Sequence, residues 1–178
     1  MRIVAIDPGM ASCGMVLMEH PRRLLDFQTV LTMPNRTDGK TDKTNGDAIR
    51  RAAEITGKVL QFIQDAGQVD AIVLEEFVDI ARAKGRAGLW TTPMAMGYMV
   101  AEIQAAFPSI PIRWSNPSNL PPHAKRDARW AELVPVWGME EIERMPVTRR
   151  EHVQSAALHG IHYLETHRIK AAGGGGRR

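Results

Sequence analysis

Cysteine is nearly missing: the 178 residues include one, Cys13. A lone thiol excludes an internal disulfide framework and fits a reducing compartment, so a cytoplasmic location is expected. Also missing is any apolar run near the ~20 residues that a membrane-spanning helix needs. The N-terminus offers one Arg and then a strand-like segment, not the charged and apolar regions of a secretory leader. No internal repeat and no composition break divides the chain, and its length suffices for one compact domain with a real core. Residues 1–168 are read as that domain, and 169–178, which end in AAGGGGRR, as a disordered tail.

What is present is ordinary in bulk. Hydrophobic residues make up 44% and charged residues 24% of a chain with a formal charge of +3 and an isoelectric point near 9.3. That excess of base is too small to identify a polyanionic partner by itself. Its distribution says more, because basic residues gather at 84–86, 125–129 and 149–150, where solvated surface charge and phosphate contact both fit.

Hydrophobic periodicity orders the elements. Residues 2–7 read as a short buried strand, CGMVLMEH as a second and LLDFQTVLTM as a third, joined closely enough for an antiparallel meander. The stretch 34–46, PNRTDGKTDKTNG, reads as a polar loop. Ala52, Ile55, Val59, Leu60 and Ile63 then recur at helical spacing over about 47–66, with Gly67 as the stop. DAIVLEEF is a fourth strand, residues 79–88 a basic loop, about 89–107 a Met- and Ala-rich helix, and IPIRWS a fifth strand. NPSNLPPH is a loop, about 123–134 a basic helix and about 148–167 the last helix. Three strands followed by strands alternating with helices predict an α/β fold, a mixed five-stranded sheet flanked by helices.

The chemistry gathers at strand ends. In IVAIDPGMASCG an apolar strand runs into Asp7, and in AIVLEEF another runs into Glu75 and Glu76. A carboxylate where a buried strand surfaces is costly unless paired or bound to a cation. Two such ends in neighbouring strands repel each other unless a divalent ion lies between them. Asp before Pro-Gly also favours turns, so a turn role for Asp7 stays open. Glu75, the first acid after Ala71-Ile72-Val73-Leu74, is expected inward and Glu76 outward. In TRREHVQSAALHG, Thr148 and Glu151 have the spacing of a capping box, which competes with a site role for Glu151. His152 sits on the first turn, where the positive helix end favours neutral imidazole, able to bind a metal or accept a proton. Ser155 shares its side of the helix, and Val153, Ala157, Ile161 and Leu164 supply the buried face. His159 and His162 read as surface or core, not as a second metal site.

Taken together these segments resemble the RuvC-type Holliday junction resolvases of the RNase H-like nuclease superfamily. IVAIDPGMASCG is similar to the first-strand I-D-P-G-x-x-x-x-G motif, AIVLEEF to the second motif, and EHVQSAAL to the C-terminal D/H-x-x-D-A motif. The last is worded more as in phage members. The resemblance covers about residues 1–168 and implies an RNase H-like fold and a metal-dependent endodeoxyribonuclease that cleaves branched DNA such as four-way junctions. It implies Mg²⁺, with Mn²⁺ as substitute and two ions per site, on Asp7, Glu75 and His152, and a homodimer, for which the helix at 89–107 is the expected face. The motif's final Asp falls on Ser155, a poor Mg²⁺ ligand. Three explanations stay open: Glu151 reaches in instead, the chain is an inactivated form, or it is a junction binder with weak cleavage. Lys84, Arg86, Lys125, Arg126, Arg129, Arg149 and Arg150 are the candidate phosphate contacts. Trp90 would stack on an unpaired base or pack on its own helix. Met94, Met96 and Met99 fit core or a subunit interface. A related nuclease acting on RNA-containing substrates also fits. An actin-like or sugar-kinase ATPase does not, for want of length and a second phosphate loop.

Overall fold

The computed structural model describes residues 1–37, 40–41, 45–76, 91–120 and 123–173. In chain order the strands are β1 (Arg2–Asp7), β2 (Ser12–Glu19), β3 (Arg23–Leu31), the two-residue β4 (Arg36–Thr37) and β5 (Lys40–Thr41), β6 (Ala71–Glu75) and β7 (Ile112–Ser115). The helices are α1 (Asn45–Ala66), α2 (Thr91–Ala106), α3 (His123–Trp137), the single turn α4 (Glu140–Glu143) and α5 (Val147–Gly173). The main sheet has the order β3-β2-β1-β6-β7. β1, β2 and β3 form the expected antiparallel meander, while β6 runs parallel to β1 and β7 parallel to β6. This is the mixed five-stranded sheet that the element order predicts.

Alternation along the strands assigns each side chain to a face. Ile3 and Ala5 of β1, Val16 and Met18 of β2, and Ala71 and Val73 of β6 pack with α3, α4 and α5. Val4, Ile6, Met15, Leu17, Ile72 and Leu74 pack on the opposite face with Ile55, Val59, Phe62 and Ile63 of α1 and Met99 and Ile103 of α2. Helices on both faces explain why β1 and β6 are apolar without interruption. The expected inner faces hold: Ala52, Ile55, Val59 and Ile63 of α1 and Val153, Ala157, Ile161 and Leu164 of α5 are buried. Gly67, at φ +69°, stops α1 in the left-handed conformation that glycine tolerates best. Met96 and Met99 are buried, whereas Met94 stands on the exposed side of α2.

Several elements differ from expectation. The stretch read as loop holds the β4–β5 pair and the first two residues of α1, Asn45 and Gly46. Helix α3 runs to Trp137, beyond the expected end at 134, although Pro135 lies inside it. An interior proline costs about 3 kcal/mol. Burial of Trp130, Leu133, Val134 and Trp137, at about 1.5–3 kcal/mol for each large apolar side chain, outweighs that. α4 is too short for any period to show, and the buried Ile142 anchors it. α5 starts at Val147, with the Pro146 carbonyl accepting from the Arg149 and Arg150 amides. Thr148 is therefore inside the helix and cannot cap it, so the capping box does not form. α5 also continues to Gly173, so the segment read as tail is helical up to there; residues 174–178 lie outside the described residues. Among the described residues no helix is long and apolar enough to cross a membrane.

α5 lies against the sheet without a side chain between them at one point. A Cβ on Gly14 of β2 would sit 2.2–2.4 Å from backbone atoms of His152 and Val153. Gly14→Ala is therefore expected to destabilise by at least about 1–3 kcal/mol, the cost of overpacking. Gly57→Ala, in α1 with nothing within 4 Å of the added carbon, should stabilise by about 0.5–1 kcal/mol. Urea denaturation of the two variants checks both signs.

Candidate active site

Strand register builds the site. The pairs Gly14↔Thr29, Asp7↔Gly14 and Glu75↔Ser115 are directly opposed, and Ile6↔Leu74 places Asp7 beside Glu75. Thr29, Gly14, Asp7, Glu75 and Ser115 thus form one row across all five strands. They share the parity of Ile3, Ala5 and Val73, so the whole row faces α5. α5 meets it with one polar stripe. The Thr29 hydroxyl donates to the Arg149 carbonyl at 2.9 Å. His152 Nδ1 lies 2.9 Å from Asp7 Oδ2, and the Ser155 hydroxyl donates to Glu75 Oε2 at 3.1 Å. His159 Nδ1 lies 2.7 Å from the Ser115 hydroxyl. His159 Nε2 is 3.3 Å from Glu75 Oε2, a long contact, and this buried nitrogen has no other partner.

The turn after Asp7 is pinned from the other face. Arg51 of α1 donates through Nη2 to the Met10 carbonyl at 2.7 Å and through Nε to the Thr32 hydroxyl at 3.0 Å. Thr32 in turn donates to the same Met10 carbonyl. Pro8 and Gly9 therefore lie in a braced loop, and Asp7 is held at its base.

Asp7, Glu75, Glu151, His152 and Ser155 line one open cleft of about 630 Å³, with Arg126 and Asp127 on its far wall. Burial pushes the Asp7 carboxyl above the usual carboxylate range; the neighbouring Glu75 adds to this and His152 opposes it. Burial would raise Glu75 too, but contacts from His159, Ser155 and Asp7 carry it below its ordinary value. The hydrogen bond to Asp7 raises His152, against its partial burial. The Asp7 and His152 shifts compete, since a protonated Asp7 no longer draws a proton onto His152. Common to both is a site that retains a proton against its negative charge and titrates as a unit.

The expected residues are thus largely brought together. Glu75 faces in, while Glu76 faces out and accepts from the Asn116 amide. Glu151 is exposed in the cleft wall, and it is Ser155, not Glu151, whose side chain reaches Glu75. Among the basic candidates, Arg126 lines the cleft and Arg149 is exposed at the start of α5. Arg150 pairs with Glu143 and Arg129 with Glu132 and Glu165. The backbone of Lys125 lies in α3, while Lys84, Arg86 and Trp90 lie outside the described residues. Sequence reasoning missed Ser115 and the place of His159. Spacing held a signal for the latter, because positions 152, 155 and 159 are three and four apart and share a helix face. Pairing His159 with His162 hid it.

Among the described residues no three His, Cys, Asp or Glu side chains converge as a preformed metal cage. Two hard carboxylates beside a roomy cleft do suit Mg²⁺, which keeps several of its waters and takes one or two protein carboxylates.

An acid-tipped β1 beside a parallel β6, with the meander on one side and a C-terminal helix across the row, defines an RNase H-like fold. Within it the chain is similar to Thermus thermophilus RuvC in complex with a Holliday junction substrate. The TM-score is 0.65 and the identity 20%, over 93% of this chain and 96% of that one. A second Thermus thermophilus RuvC structure gives a TM-score of 0.63 at 18% identity, over the same shares. No protein-family model matches the chain, and no curated protein does.

In the metal-free protein the His152 ring should titrate above the ordinary histidine value near 6.5, and Asp7→Asn should lower its midpoint. Following the ring carbon–proton signals against pH checks this; an unchanged midpoint would show that Asp7 does not set the His152 charge.

Proposed function

We propose that this protein is a divalent-cation-dependent endonuclease that hydrolyses phosphodiester bonds in branched DNA, four-way junctions foremost. The observation that carries the reading is the side-by-side placement of Asp7 and Glu75 under His152 in an open cleft. The likeness to a junction-bound RuvC supports the substrate class. The cleft walls hold Asp7, Glu75, Asp127 and Glu151 against Arg126. An excess of acid repels a phosphate backbone, so DNA can enter only when cations offset it.

Asp7 and Glu75 would hold Mg²⁺, or Mn²⁺ in its place, with two ions as the upper limit for these donors. A bound divalent ion neutralises charge on the phosphate and acidifies a water. His152 keeps Nδ1 on Asp7 and so offers Nε2 to accept the proton of the attacking water. Arg126, Lys125, Arg149 and Arg150 are proposed to hold phosphates beyond the reacting one, with Lys84, Arg86, Arg129 and Trp90 as further contacts. The exposed Met94 and Tyr98 of α2, four residues apart, give a homodimer an apolar contact that would match the two-fold symmetry of a junction.

One observation favours a second reading. Ser155 gives Glu75 a hydroxyl where the family motif has a carboxylate, which suits a junction-binding protein with weak or no cleavage. A labelled four-way junction incubated with Mg²⁺ or Mn²⁺ separates the two. Incision is expected, with Asp7→Asn and Glu75→Gln lowering it by roughly 10²- to 10³-fold, the scale of losing one preorganised electrostatic group, and leaving binding intact. Binding with no incision in either metal establishes the second reading, and faster cutting of RNA–DNA hybrid would move the substrate to RNA.

A further inference from the structure

We infer that His159 and Ser155 are positioning residues that clamp one oxygen of Glu75, Oε2, by donating hydrogen bonds to it. α5 would then supply this site with donors where the family motif supplies a further carboxylate. The inference rests on the reading of Glu75 as a cation ligand.

The argument starts from a histidine that is 0% exposed. A neutral imidazole has one donor and one acceptor nitrogen. His159 places Nε2 3.3 Å from Glu75 Oε2 and Nδ1 2.7 Å from the hydroxyl of the buried Ser115. An ionised carboxylate only accepts, whereas a hydroxyl does either. The hydrogen therefore belongs on Nε2, and Ser115 adapts by donating to Nδ1. The opposite tautomer sets a lone pair of the fully buried His159 against the carboxylate, the costly arrangement. Ser155, one helical turn before His159, brings a second donor to the same oxygen at 3.1 Å. With Oε2 held from α5, Oε1 would be the oxygen left for a cation. An Asp at 155 would instead press a second anion against Glu75. Ser155 thus departs from the motif, and the ligand lost there is offset by a more rigid Glu75 held by Ser155 and His159 together.

Two measurements test this. Long-range proton–nitrogen spectra of the metal-free protein, with the His159 signals identified by their loss in His159→Gln, read the tautomer. A hydrogen on Nε2, alone or on a ring protonated at both nitrogens, supports the clamp; a neutral ring with its hydrogen on Nδ1 overturns it. Mn²⁺ binding to the DNA-free protein, read from the free-ion paramagnetic resonance signal, gives the consequence. His159→Leu should weaken it by about 10- to 100-fold, as loss of a ligand's supporting partner does. His159→Gln, which keeps an N–H near the Nε2 position, should restore most of it, a rescue that a purely structural role would not produce. A folded His159→Leu protein with unchanged Mn²⁺ affinity overturns the inference. Failure of the unaltered protein to take up Mn²⁺ overturns the cation reading instead, and the tautomer still decides the clamp; it also decides if His159→Leu does not fold.

Discussion

The parallel register between β1 and β6 is the constraint on which the rest depends. It sets Asp7 beside Glu75 at the C-terminal ends of two strands about 4.8 Å apart, and strand alternation turns both toward the same helix. A slip of one residue would send one acid into the opposite apolar layer. Ile3, Ala5, Ala71 and Val73, all buried against α3–α5, hold the register in place. The core of the protein is thus also the alignment device of its site. The electrostatic strain of two adjacent carboxylates is sustained by packing several residues away.

Five strands span four steps of about 4.8 Å, or about 19 Å. The helical stretch from Arg149 to His159 rises about 15 Å at 1.5 Å per residue. The match lets one helix stripe meet one sheet row almost position by position, from Thr29 and Arg149 at one edge to Ser115 and His159 at the other. The fit requires α5 to come close, and Gly14 makes room for it. On the far face, Arg51 braces the loop that follows Asp7. Side chains at the site are therefore fixed from both layers, which holds repelling groups at close range.

Much of this was legible in the sequence because it is local. Unbroken apolar strands signalled a sheet covered on both faces. The helical period over 47–66 placed α1 within two residues, and the first acid after a buried run pointed to Glu75 over Glu76. What was not legible is what depends on pairing distant segments. No local pattern states that residue 7 stands beside residue 75, or that Ser115 lies under His159. The capping box at Thr148 failed for a related reason. Its spacing is right, but the helix starts at Val147 with Pro146 in the cap position, two residues before Thr148, which leaves Glu151 exposed in the cleft wall. The meaning of Ser155 also turned on tertiary structure: a hydroxyl that looks like a missing ligand in a motif is, in the fold, a hydrogen-bond donor to Glu75.

The row and the stripe are far apart in chain order. The sheet contributes residues up to Ser115, and its partners on α5 begin only at Arg149. A ribosome making this protein therefore releases both acids long before the helix that completes their surroundings. Until α5 docks, His152 cannot reach Asp7 and Ser155 cannot reach Glu75. Assembly of the site thus waits for α5, which follows every strand of the sheet in chain order. A partly made chain carries the two acids without the helix that fixes their geometry.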